Sequence, residues 1–182
     1  MIGEYSKEDG DKLLKLARES IEEEFTGKKP DLPEGKQFRQ LRGVFVTLTK
    51  NKELRGCIGF PMPSLPIAEA VYESAKSAAF SDPRFSPVSE KELDKIKIEI
   101  SILTNPQETR AEEIKIGRDG LIGSYVGYSG LLLPQVAIEH KMSRLEFLEA
   151  ICQKAGLPKD SWQKPGFKLQ RFQAQIFSEE KI

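Results

Sequence analysis

Cysteine and histidine are scarce in this chain, with two Cys and a single His among 182 residues. Two cysteines far apart make no disulfide framework, and with one histidine they fall short of the four ligands of a structural zinc site. A reducing cytoplasm suits such thiol usage. Charge of one sign is also missing. The 28 Lys and Arg cancel the 28 Asp and Glu, which removes long-range attraction to nucleic acid or anionic membranes while leaving room for a local basic cleft. No apolar run approaches the roughly 18 residues of a membrane span, and no basic segment followed by an apolar one opens the chain. The expectation is a protein neither exported by that route nor spanning a membrane. Its length suffices to bury about 70% of the unfolded surface, so one compact unit or two small lobes is expected without staples.

What is present is concentrated in Leu54-Arg55-Gly56-Cys57-Ile58-Gly59-Phe60. In an extended strand alternate side chains share a face, which places Arg55, Cys57 and Gly59 together and Leu54, Gly56 and Ile58 opposite. A cation beside an accessible thiol favours the thiolate, making Cys57 a candidate nucleophile. Gly56 and Gly59 mark either a bulge or a place where a ligand or another backbone comes close. The alternative is a small buried thiol in an ordinary strand.

The flanking chain places this stretch. Ser6 and Asp9 cap a helix carrying Leu13, Leu14, Ala17, Ile21 and Phe25 at helical spacing, and Gly27 stops it. Lys28 to Gly35 reads as a surface connection. Val44, Val46 and Leu48 alternate with Phe45, Thr47 and Thr49, so residues 41–49 form a strand, with 54–59 returning beside it after a turn at 50–53. A helix with Pro66 in its first turn and a face of small residues from Ile67 to Ala78 follows. It ends before Pro83. The loop from Asp82 to Val88 then sets a carboxylate and a guanidinium close together, and Asp82 is the candidate that orients Arg84 or Arg55. Ser89 and Glu92 form a second capping box. Ile96, Ile98, Ile100 and Ile102 give the clearest strand, whose other face holds Glu99 and Ser101, either toward solvent or lining a cleft.

The second half has shorter pieces. Asp119-Gly120 between apolar runs predicts a hairpin of 114–117 with 121–124. Leu131 to Leu133 reads as a short strand, Pro134 starts a helix reaching about His140, Ser143 and Glu146 cap another helix with Cys152 in its core face, and a last strand runs over about 168–177. Gly127-Tyr128-Ser129-Gly130 lacks the glycine two residues after serine that a nucleophile elbow needs, and the other glycines match neither a dinucleotide fingerprint nor a Walker loop.

The signature Leu54-Arg55-Gly56-Cys57-Ile58-Gly59 resembles that of the AMMECR-type domain. Asp82-Pro83-Arg84-Phe85 with Pro87-Val88, Ile98-Glu99-Ile100-Ser101, the run from Gly130 to Val136, and Lys154-Ala155-Gly156-Leu157-Pro158 resemble the family's other blocks in the same order. They cover most of the chain. The resemblance implies one domain over residues 1–182, with lobes of about 1–110 and 111–182. Its fold would be α+β, two intimately packed lobes of mainly antiparallel strands and helices, with the signature beside a cleft. An internal duplication is compatible with the element order. The resemblance brings no established reaction.

Three functional readings remain open. In the first, Cys57 is a nucleophile, Arg55 and Arg84 hold an anionic group and Asp82 orients an arginine; the missing part is a base, since His140 has no signal placing it nearby. In the second, Arg55, Gly56, Gly59, Arg84, Glu99 and Ser101 bind a small anionic ligand without turning it over, with no cofactor or metal specified. In the third, the chain is an interaction subunit. Relatives of the domain occur fused to or encoded beside Memo-like proteins and radical S-adenosylmethionine proteins, so the resemblance implies such partners in a shared modification pathway.

Overall fold

A computed structural model describes residues 5–179. The chain divides into two units, the first taking the described residues up to Leu103 and from Gln175 onward, the second Thr104–Ala174.

The first unit begins with α1, Lys7–Thr26, whose capping box joins the Ser6 hydroxyl to the Asp9 N–H and the Asp9 carboxylate to the Ser6 N–H. Gly27 ends the helix in the left-handed region, with φ 68°, where a side chain would be strained. Strands β1, Gly43–Lys50, and β2, Glu53–Phe60, form an antiparallel hairpin closed by Asn51 and Lys52, both with positive φ. Helix α2, Ile67–Phe80, buries Ile67, Ala68, Ala70, Val71, Ser74, Ala75, Ala78 and Ala79. Pro66 is the residue before this helix rather than part of its first turn, because its backbone is extended and bridges Leu41. Strand β3, Ile96–Leu103, pairs with β1, and the chain's final strand, Ala174–Ser178, lies on its far side.

One face of this sheet is the apolar set predicted by alternation: Val44, Val46 and Leu48 with Ile96, Ile98, Ile100 and Ile102, all buried. It shares one core with α1 and α2. Full burial of each aliphatic side chain stabilises the fold by about 1.5–3 kcal/mol, so this face fixes the register that aligns the opposite one.

The second unit contains β4, Gln107–Glu108; β5, Gly120–Tyr125; β6, Tyr128–Leu132; α3, Pro134–Glu139; α4, Arg144–Lys154; and β7, Lys168–Phe172. The sheet order is β4-β7-β5-β6, and its core gathers Ile114, Leu121, Ala137, Phe147, Leu148 and Ile151. Both sheets have antiparallel hairpins with helices beside them, an α+β fold.

Two expectations for this half are corrected. The hairpin is β5 with β6 around Val126-Gly127, not 114–117 with 121–124. Asp119 is fully buried, accepts the Lys115 N–H and pairs with Arg118, so it closes a turn that precedes β5. The last strand is two strands, separated at Gln173, whose N–H donates to the Thr104 hydroxyl instead of a ladder partner.

Candidate functional site

Strand β2 is the edge of the first unit's sheet, and the signature lies along it. Cys57 stands opposite Thr47, and Thr47 opposite Glu99; Gly59 stands opposite Phe45, and Phe45 opposite Ser101. Two rows thus cross the sheet on the face away from the core. Neighbouring strands lie about 4.8 Å apart, so the Cys57 and Glu99 backbones are roughly 10 Å apart with Thr47 between them. The structure therefore brings Cys57, Gly59, Glu99 and Ser101 onto one face. Ser101 is buried there, while Cys57 and Glu99 are half-buried.

Arg55 does not join them. The register slips between Leu48 opposite Gly56 and Thr49 opposite Leu54, leaving Arg55 as the extra residue of a β-bulge. A bulge re-aims a side chain. Here it sends the guanidinium to Glu92, through Nε to Oε1 at 3.1 Å and Nη2 to Oε2 at 3.3 Å. Lys50 reaches the same carboxylate at 2.8 Å, and the Ser89 N–H and hydroxyl each donate to it at 3.0 Å. These donors, Arg55 foremost, hold the Glu92 carboxyl well below the usual carboxylate range. The Arg55 side chain is only 12% exposed. Glu92 and Lys50 are partners of the signature that sequence reasoning missed; Glu92 was visible only as a capping residue, and it both caps and pairs with Arg55.

Arg84 is the cation beside Cys57. The outward N–H of Cys57 donates to Asp82 Oδ2 at 2.9 Å, and the Cys57 carbonyl accepts from Arg84 Nη2 at 3.3 Å. Asp82 in turn receives Arg84 through Nε at 3.0 Å, Nη2 at 2.7 Å and the Arg84 N–H at 3.1 Å. This fork keeps the Asp82 carboxyl far below its ordinary range, Arg84 contributing most, and raises the Arg84 pKa. The Asp82 side chain is buried, whereas that of Arg84 is 53% exposed and lies 5.4 Å over the Phe85 ring. The loop is pinned because the Phe85 N–H returns to the Asp82 carbonyl and the Val88 N–H to Ala79.

The Cys57 sulfur accepts the Thr47 hydroxyl at 3.3 Å. A hydroxyl is not a base that removes a thiol proton at neutral pH. Cys152, in the second unit, is fully buried, and burial pushes its thiol up from its ordinary value. His140 caps the end of α3 in that unit and is exposed. Among the described residues no three His, Cys, Asp or Glu side chains gather where they would hold a metal ion.

The signature glycines meet the chain itself. A Cβ on Gly56 would collide with the Ala78 carbonyl of α2, and one on Gly59 with the Val44 carbonyl of β1. Close helix-to-strand and strand-to-strand approach accounts for both.

A family model described as AMMECR1 matches residues 14–177. A protein of Methanothermobacter thermautotrophicus is 48% identical, the match covering 96% of each chain. Protein MJ0810 of Methanocaldococcus jannaschii is also 48% identical over 94% of this chain and 90% of its own. The crystal structure of uncharacterized protein PH0010 from Pyrococcus horikoshii superposes with a TM-score of 0.87 at 44% identity, covering 94% of this chain and 91% of that one. Among the described residues no helix is long and apolar enough to cross a membrane.

Proposed function

The chain belongs to the AMMECR1 family, and from its signature strand we propose that it is a binding module that takes an anionic group of a ligand or partner on Arg84, beside the Cys57 thiol. One observation carries this reading: buried Asp82 fixes a half-exposed guanidinium in a fork against the Cys57 backbone. Nη1 of that guanidinium takes no part in the fork, and an arginine already held in place loses less freedom when it meets a phosphate or carboxylate. Arg55 is committed to Glu92 and takes the supporting role of setting the bulge. Gly56 and Gly59 act through packing.

The test is thermal shift with inorganic phosphate, nucleotides, sugar phosphates and carboxylates on wild type, Arg84→Gln and Arg55→Gln. A hydrogen bond to a charged group contributes about 1.5–3 kcal/mol, so Arg84→Gln is expected to weaken a hit by roughly tenfold or more. A hit indifferent to Arg84→Gln overturns the assignment. The Memo-like and radical S-adenosylmethionine proteins implied by the resemblance are the first partners to assay, by pull-down with the same variants.

A second reading has its own support. The half-buried Cys57 thiol belongs to the residue whose carbonyl Arg84 holds, within range of the guanidinium's charge, a placement suited to attack on a substrate whose anionic group Arg84 holds. Cys57→Ser separates the two, since a binder keeps its ligand and a cysteine-dependent enzyme loses turnover.

A further inference from the structure

The β5–β6 hairpin of the second unit turns on two residues, Val126 with φ 47° and Gly127 with φ 84°. Such a turn suits Asn-Gly or Gly-Gly, and a β-branched residue in the left-handed region is strained. Packing does not explain the valine, because it is 76% exposed. Tyr128, beside it, is 57% exposed. Tyr125, opposite Tyr128, stacks on Phe167 at 6.4 Å. The tip is therefore an apolar and aromatic protrusion maintained against both its backbone preference and its solvent exposure.

Three lysines belong to the segments that run beside it. Lys168 stands opposite Ser124 on β7, Lys164 opens the turn whose Gly166 lies against Tyr125, and Lys154 ends α4 just before Gly156, which lies against Tyr128. All three are exposed and make no ion pair within 4 Å among the described residues. We propose that this hairpin tip is a docking surface for an acidic, aliphatic-bearing segment of a partner protein. Its carboxylates would meet Lys154, Lys164 and Lys168, and its aliphatic side chains would lie on Val126 and the two tyrosines. Exposed tyrosine is typical of the centre of a protein interface. A nucleic acid fits less well, because Val126, the most exposed apolar side chain of the tip, offers a base no face to stack on, and the chain's net charge is zero.

The full chain, labelled with 15N, is titrated with a synthetic peptide alternating glutamate and leucine, with the same peptide carrying lysine for glutamate, and with oligo-dT. The acidic peptide is expected to shift the amides of residues 125–129, and the triple charge reversal Lys154→Glu, Lys164→Glu, Lys168→Glu to weaken it roughly tenfold. Val126→Asn adds a second readout. Relief of the strained turn is expected to raise Tm by about 2–4 °C while binding weakens, which a purely structural valine would not do. A fall in Tm, unmoved hairpin amides, or oligo-dT shifting the same amides in place of the acidic peptide would each overturn the proposal.

Discussion

The Asp82 carboxylate accepts the backbone N–H of Cys57 at 2.9 Å, so a side chain 25 residues onward does for β2 what a neighbouring strand would do. Arg84 completes the imitation by donating to the Cys57 carbonyl. An edge strand with free donors and acceptors invites pairing with other chains, and this clip covers the edge at the middle of the signature. Asp82→Ala should therefore cost about 2–3 kcal/mol, and Asp82→Asn less, because an amide oxygen still accepts the Cys57 N–H. Urea unfolding measures both. Equal stabilities for wild type and Asp82→Ala would remove the clip from the account.

Glu92 is the counterpart on the other side of the bulge. Removing it leaves Arg55, almost wholly enclosed, without its counter-charge, and such a loss typically costs about 3–5 kcal/mol. The Lys50 share of the pair is partly exposed, so the lower end applies. A double-mutant cycle with Arg55→Met and Glu92→Gln should return a coupling of roughly 1–3 kcal/mol. A coupling near zero would mean that the bulge holds Arg55 without help from the carboxylate.

Both carboxyls are held below their unfolded values, which fixes the direction of the pH dependence. The folded state keeps them ionised while the unfolded chain takes up protons. Their contribution is complete above the ordinary carboxylate range, about pH 4, and falls as the pH drops below it toward the depressed native values. Stability followed from pH 7 to pH 2 should hold level and then decline. The double variant Asp82→Asn, Glu92→Gln should begin lower and decline less steeply; an unchanged acid slope would show that other groups carry the loss.

The elements that periodicity located, α1, the β1–β2 hairpin, α2 and β3, are those whose apolar pattern is local and uninterrupted. Ile96, Ile98, Ile100 and Ile102 announce a strand with one buried face, and hence Glu99 and Ser101 on the other. The destination of Arg55 was not legible. Strict alternation puts it beside Cys57, but a bulge depends on how β2 registers against β1, and only the slip at Leu48/Thr49 reveals it. Asp119 misled for a similar reason: Asp-Gly is a hairpin signal only if the carboxylate has no better partner, and here it has Arg118 and the Lys115 N–H. The Asp82–Arg84 pair was legible because its members are two residues apart. Thr47 was not, since nothing in a threonine on the polar side of a strand says which sulfur it faces.

The two thiols should differ sharply in reactivity. Cys152 is fully buried, and burial raises its pKa, so reagent reaches it only when the second unit opens. Cys57 is half-buried on a sheet face. Iodoacetamide labelling read by mass spectrometry should modify Cys57 alone under native conditions and both residues in denaturant. Comparable native rates would place Cys57 in the core as well and remove it from the proposed site.

The glycines give the most direct test of what the signature is for. If Gly56 made room for a ligand, alanine there would spare the fold and remove binding. The space is instead filled by the Ala78 carbonyl, and beside Gly59 by that of Val44. Both are backbone atoms in paired or helical segments, which yield less readily than the end of a side chain. Gly56→Ala must then push α2 away from β2 or twist the strand, at about 1–3 kcal/mol or more, and Gly59→Ala must disturb the β1–β2 ladder at similar cost. Since α2 leads directly into Asp82 and Arg84, displacement at Ala78 should also loosen the clip and weaken ligands that depend on Arg84. Urea unfolding and thermal shift on the same variants check the two effects together. A Gly56→Ala protein as stable as wild type that has lost ligand binding would return the glycine to the binding surface and overturn the packing account.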